Sequence, residues 1–172
     1  LGGGRYYPVM LKELHTLFAR DLDTLRAEVA LYPSDVLPWQ AVAGCPNPGG
    51  NLVLHIVGNL RHFIGAQLGA TGYIRDRAAE FATTGFTRAK LQTAVSVASA
   101  DVARTLLSLE PARLAEPYPL PTLGQSTVTG LFLLHLSTHL AFHLGQLDYH
   151  RRVVTGDRVG AGALSLAPLF NP

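Results

Sequence analysis

Six of the seven histidines stand in two stretches of the chain: His55 and His62 in one, and His135, His139, His143 and His150 in the other. Residues four apart on a helix share one face, and their side chains stand about 6 Å apart along the axis. Neutral imidazole is a strong nitrogen ligand for zinc, nickel, copper or iron. Two imidazoles one turn apart can bend onto a single ion, as in the His-x-x-x-His half of a zinc protease site. A third imidazole from a neighbouring helix completes a three-ligand face with open positions, the mark of a catalytic rather than a structural metal site. The single cysteine, Cys45, excludes a thiolate zinc cluster and an internal disulfide framework. His-Glu-x-x-His and Glu-x-x-His are both absent, which argues against a zincin protease and a di-iron carboxylate bundle.

On a helical wheel with His139 as origin, His135 falls at about −40°, His143 at about +40°, Gln146 at about −20° and His150 at about +20°. Val128, Phe132 and Val153 share this stripe, while Ser137, Ala141 and Asp148 lie opposite. The imidazole column is therefore expected to point into the core. With His55 as origin, Asn59 falls at about +40° and His62 at about −20°. The run Leu54-His55-Ile56-Val57 sets His55 within the apolar part of its helix. Each unpaired buried polar group costs about 1–3 kcal/mol, so several inward imidazoles require a partner. A divalent ion would serve all of them at once.

The elements that must position these residues are helical, and no β-branched alternation competes with the helical period. A first helix is expected over Pro8–Ala30, with Leu11, Phe18, Leu22, Leu25 and Val29 on one face. A Pro-, Gly- and Asn-rich loop follows over Pro33–Gly50, with Trp39 as its anchor. A second helix is expected over Asn51–Leu68, stopped by Gly69 and Gly72. The stretch Tyr73–Phe86 reads as a charged connection. Thr87 caps a third helix reaching Leu109. Pro111, Pro117, Pro119 and Pro121 enforce an extended connection, and Ser126 or Thr127 opens a fourth helix ending near Thr155-Gly156. The expected fold is all-α: a four-helix bundle with long crossover connections, in a single domain over residues 1–172. Within it, Leu1-Gly2-Gly3-Gly4 reads as an expression remnant rather than a signal peptide, and Asp157–Pro172 as an irregular tail over the bundle.

Composition narrows the partners. Of the 172 residues 48% are hydrophobic and 15% charged, which describes a globular chain. The net charge of +2 is spread without clusters, so no footprint for nucleic acid or a membrane surface is expected. No apolar run is long enough to span a bilayer, and a cytoplasmic location is expected.

The segment His139-Leu-Ala-Phe-His143-Leu-Gly145-Gln146, together with Asn51-Leu-Val-Leu-His55-Ile-Val-Gly58-Asn59-Leu-Arg61-His62, resembles the DinB/YfiT-like superfamily of metal-dependent four-helix bundles. Leu144 stands where the family's recurrent His-Arg-Gly-Gln ending carries Arg. The resemblance implies three metal ligands, His55 from the second helix with His139 and His143 from the fourth. Zinc or nickel is the implied metal. It also implies a small-thiol S-transferase, with bacillithiol or mycothiol as co-substrate and an electrophilic small molecule as acceptor. A YfiT-type hydrolase, or a metal-binding bundle without turnover, is the alternative, and a homodimer is a further expectation.

Around the implied ligands, Asn59, His62, His135, Gln146 and His150 are expected as pocket wall or as hydrogen-bonding support. Arg75 and Arg77 could clamp a substrate carboxylate, or pair with Asp76 or Glu80. The inward stripes carry no Glu or Asp to act as general base, which favours delivery of a thiolate over hydrolysis. Cys45, in a loop, is expected to be inert.

Overall fold

The structure is a computed structural model that describes residues 7–121 and 124–170, so Leu1–Gly4 and the last two residues of the tail lie outside it. The described residues contain no strand; one isolated antiparallel bridge joins Pro117 to Val128. Helices α1 (Tyr7–Ala30), α2 (Gly49–Leu60), α4 (Arg88–Ser108) and α5 (Thr129–Thr155) are long, and α3 (Arg77–Ala82) and α6 (Ala167–Phe170) are short. Helix α1 packs against α4 and α5, and α2 packs against the same two. One apolar core lies between them. The expected α1 row of Leu11, Phe18, Leu22, Leu25 and Val29 is buried. Among the described residues, no helix is long and apolar enough to cross a membrane.

Helix α2 begins two residues before the expected start, because Gly49 and Gly50 belong to the helix and not to the loop. Both are buried for want of space: a Cβ on Gly50 would stand 2.6 Å from the Trp39 ring, and one on Gly49 would strike the Tyr32 hydroxyl. Trp39 ends a short 3-10 turn, Leu37–Trp39, and its indole N–H donates to the Phe86 carbonyl at 3.0 Å. Beyond Leu60 the α-helix widens into a π-helical turn over Arg61–Ala66, so the expected single helix to Leu68 is two segments of different pitch. The connection expected over Tyr73–Phe86 holds α3. Its N-cap is Asp76, whose carboxylate accepts from the Ala79 N–H at 2.9 Å. Thr87 caps α4 as expected, accepting from the Lys90 N–H.

Helix α5 opens at Thr129, later than Ser126 or Thr127. The Tyr118 N–H donates to the Thr127 carbonyl at 2.8 Å, and the Thr129 N–H donates to the Glu116 carbonyl at 2.9 Å. These bonds hold residues 127–128 extended until the bridge is passed. The core row of α5 is Leu133, Leu136, Leu140, Leu144 and Leu147, all at most 1% exposed. That row lies about 100° around the helix from His139. The histidine stripe is thus a flank of the core and not its centre: Val128 and Val153 are 44% and 61% exposed, and only Phe132 of that apolar set is buried.

The tail is an irregular segment over the bundle, as expected, until the short α6, and buried polar bonds anchor it. Arg151 is fully buried, and its Nε donates to Glu28 Oε2 at 2.5 Å across α1 and α5. The same guanidinium donates to the Val159 carbonyl, while the second Glu28 oxygen accepts from the Ala161 N–H at 2.6 Å. Gly156, in the left-handed conformation at φ 71°, turns the chain out of α5 toward this anchor. Removing one member of a fully buried ion pair strands the other charge in the core, at a cost of about 3–5 kcal/mol. Arg151→Met should lower the unfolding free energy in urea by that amount and open residues 157–166 to limited proteolysis. Glu28→Leu combined with Arg151→Met should recover much of the stability but not the protection of the tail.

Candidate metal centre

Helices α2 and α5 cross so that His55, His139 and His143 turn their rings to one point, and the three form a group that could hold a metal ion. One ring nitrogen from each lies within 4.8 Å of those of the other two. His143 Nε2 is 3.1 Å from His139 Nε2, and His55 Nε2 is 3.4 Å from His139 Nε2. With Zn–N bonds of about 2.0–2.1 Å, a tetrahedral ion sets its nitrogens about 3.3–3.4 Å apart. The two spacings to His139 are close to that separation.

The other ring nitrogens explain why three Nε2 atoms converge. His55 Nδ1 lies 2.9 Å from Glu80 Oε2, and His143 Nδ1 lies 2.7 Å from Gln146 Oε1. A carboxylate only accepts, so the His55 proton resides on Nδ1 and its Nε2 presents a lone pair. The Gln146 carbonyl sets His143 the same way. Two lone pairs therefore face His139 Nε2, which carries at most one proton and cannot satisfy both. A cation can. Support of His55 and His143 by an acceptor behind the ring is the usual arrangement of metal-binding histidines.

The sequence offers Glu80 only as a partner for Arg75 or Arg77, and the Arg75 pair is present; its contact with His55 is what reasoning from the sequence missed. Glu80 sits on α3, within the stretch read as a loop, and the signal that could have found it was Asp76 as an N-cap before Arg77-Ala-Ala-Glu80. Arg75 donates to both its oxygens, from Nε at 2.6 Å and from Nη2 at 2.8 Å. Burial raises the Glu80 pKa, but the hydrogen bonds from Arg75 and His55 outweigh this and hold the carboxyl below its usual range. The buried Glu80 carboxylate rests on Gly58, where any Cβ would collide with it. Arg75 is therefore engaged inside the protein. Arg77 is exposed, its guanidinium 5.2 Å from the Phe81 ring, and that ring is 5.1 Å from His55.

The remaining histidines stand apart from the three. His135 is exposed, with its ring 6.1 Å from that of His139 and stacked on Phe132. His62, in the π-helical turn, is half-buried against Phe63. His150 is buried between the Tyr32 hydroxyl at 2.7 Å and the Gln40 carbonyl at 2.9 Å, joining α1, the loop and α5. Asn59 is buried, and its Oδ1 has no hydrogen-bond partner among the described residues. Gln146 is exposed on the side where it meets His143.

A cavity of about 510 Å³ lies beside His143, between the loop from Val42 to Asn47 and the second half of α5. Leu52, Gln146, Tyr149, His150, Val153 and Cys45 are among its walls, and among the described residues no Lys, Arg, Asp or Glu lines it. Burial pushes the His139 pKa down to about 4, helped by the charges of His143, His55 and His135. Burial also lowers His143, against the Gln146 hydrogen bond that raises it. Both are neutral at neutral pH, which is the ligating form.

Glu80→Gln should weaken zinc affinity about 10–100-fold in a chelator competition, because His55 loses the acceptor that fixes its tautomer. The pH dependence follows from His139. In metal-free protein the unfolded chain protonates at this site below about pH 6.5, the ordinary histidine value, while the folded chain does so only near pH 4. The unfolded state then binds more protons, so stability falls as the pH drops from about 6.5 to about 4 and levels off below. Urea midpoints across that range, with chelator present, should fall less steeply for His139→Asn.

Comparison of the chain with protein-family models, curated proteins and solved structures returns no match, and its functional reading rests on this geometry.

Proposed function

We propose that the chain is a metal-dependent enzyme on a four-helix bundle of the DinB/YfiT-like kind, with zinc or nickel held by His55, His139 and His143. The convergence of the three rings, with one nitrogen of each within 4.8 Å of the others and acceptors behind two of the rings, carries this reading. The packing of α1 and α2 each against both α4 and α5 supports the bundle. Three protein ligands leave room for an exogenous one.

The reaction we propose is transfer of a small thiol of the bacillithiol or mycothiol type to an electrophilic small molecule. A bound divalent ion would lower the pKa of a thiol, or of water, in the open position and so supply an anionic nucleophile near neutral pH. The protein's own part is positional. Glu80 and Gln146 hold two rings with their lone pairs forward, and the uncharged cavity beside His143 offers a seat for an apolar electrophile. Glu80 is the carboxylate next to the ligands, and it is bound to Arg75 and His55 on the far side of the ring. It is not free to take a proton from water, whereas a thiol acidified by the metal needs no base of that strength. This favours thiol over water as nucleophile.

Elemental analysis of untagged protein should return about one equivalent of metal, lost in His139→Ala and in His143→Ala. With that metal in place, conjugation of a chromogenic electrophile should run faster with bacillithiol or mycothiol than without. Equal rates would sink S-transfer. Ester or amide turnover without thiol would then assign the hydrolase, and metal without any turnover a binding bundle.

A further inference from the structure

A second cavity, of about 360 Å³, lies between α1 and the turn that leads into α6. It shares no wall residue with the cavity beside His143. His15, Arg20 and Asp23 reach it from α1, and Gly162, Ser165 and Pro168 from the tail.

What this groove offers a ligand follows from how its polar atoms are already engaged. The Thr16 hydroxyl donates to the Lys12 carbonyl at 3.0 Å and the Thr24 hydroxyl to the Arg20 carbonyl at 2.9 Å, so neither has a proton left to give. Arg20 is the opposite case. Its side chain is 9% exposed, and its Nε donates to the buried Asp21 carboxylate at 2.7 Å. Its two Nη atoms have no hydrogen-bond partner among the described residues, and neither is sealed from solvent at the groove wall. Ser165 Oγ accepts from the Ala167 N–H at 3.3 Å, which leaves its own O–H to donate. His15 carries an N–H in either neutral tautomer and bonds to no described residue. A guanidinium end, a hydroxyl and an imidazole thus present donors with no acceptor between them.

We infer that this groove binds a small monocarboxylate, seated on the Nη pair of Arg20 and the Ser165 hydroxyl. The planar guanidinium matches the two oxygens of a carboxylate, and a nearly buried cation with idle donors is stabilised when they are filled. Two features select a single charge. Asp21 already balances Arg20, so the ligand is held by hydrogen bonds more than by net charge. Asp23 stands at the rim, its side chain 71% exposed and 3.4 Å from Arg26 Nη2, and it repels the second charge of a phosphate or dicarboxylate. Ala19, Ala161 and Pro168 complete the wall and suit a short aliphatic body. Such a ligand joins α1 to the tail, beside the Ala161 N–H that donates to Glu28 at 2.6 Å. This inference does not depend on the metal reading.

Titration of the untagged full chain with sodium butyrate, followed by backbone amide NMR, tests it. Saturable shifts are expected at Ala19, Arg20, Gly162 and Ser165, and butyrate should slow limited proteolysis of residues 157–166. Arg20→Gln should weaken binding about 10-fold or more, and Ser165→Ala about 2–10-fold. Ser165 lies in an exposed turn, so its variant keeps the fold and decides the matter where loss of Arg20 strands Asp21. Asp23→Asn should strengthen butyrate binding and admit inorganic phosphate. Shifts that never saturate, or that persist unchanged in Ser165→Ala and Arg20→Gln, overturn the inference. So does a wild type that binds phosphate more tightly than butyrate, or one whose shifts are confined to the neighbours of His139 and His143.

Discussion

The Glu80 carboxylate is bound from three directions, and the geometry of the three-histidine group depends on how those bonds are satisfied. His55 Nδ1 and two nitrogens of Arg75 donate to it, and Gly58 gives it room by having no side chain. A six-residue helix such as α3 has little stability of its own. It is held because Glu80 binds α2 through His55, and because the Asn51 amide donates to the Glu80 and Thr83 carbonyls, both at 2.9 Å. Fixing α3 and fixing the tautomer of His55 are one event. A buried carboxylate costs desolvation energy that only several charge-assisted hydrogen bonds offset, and the arrangement that offsets it also orients the His55 ring.

A second buried carboxylate plays the corresponding part at the far side of the core. Glu28 and Arg151, both fully buried, link α1 to the end of α5 and gather the chain from Asp157 to Ala161. Between the two, the Tyr32–His150–Gln40 hydrogen bonds fasten the loop that borders the cavity. Each of these buried polar clusters joins segments distant in sequence, so each specifies a register that apolar packing alone leaves loose.

The legible parts of the sequence were those with a repeating signal. The α1 core row, the Thr87 cap and the Gly156 stop are local patterns, and each stands where the pattern put it. The histidine pair one turn apart, with His55 in the apolar part of α2, was legible as a cluster for the same reason. The support of His55 by Glu80 was not, because α3 is too short to show a period and its charged residues resemble a solvated loop. The aspect of α5 was misjudged because Val128 and Val153 were weighed as core while the five-leucine row beside them was not. Phase also failed in α2, since a wheel at a constant 100° per residue cannot anticipate the π-helical turn at Arg61–Ala66. Long-range hydrogen bonds such as Glu28 to Arg151 leave no trace in a one-dimensional pattern.

Most surface helices keep one side on which residues can change without consequence. Helix α4 has such a side, where Ser96, Val97, Ala100 and Arg104 face solvent. Helix α5 is different. One row of it is core leucine, a second carries the imidazoles and Gln146, and a third walls the cavity with Tyr149 and Val153. Little of its circumference is left over. Sequence drift in this protein should therefore be recorded in α4 and the loops, and a saturation map of substitutions would show α5 as a nearly continuous band of intolerance. The helix that carries the most chemistry is the one with the least freedom to vary.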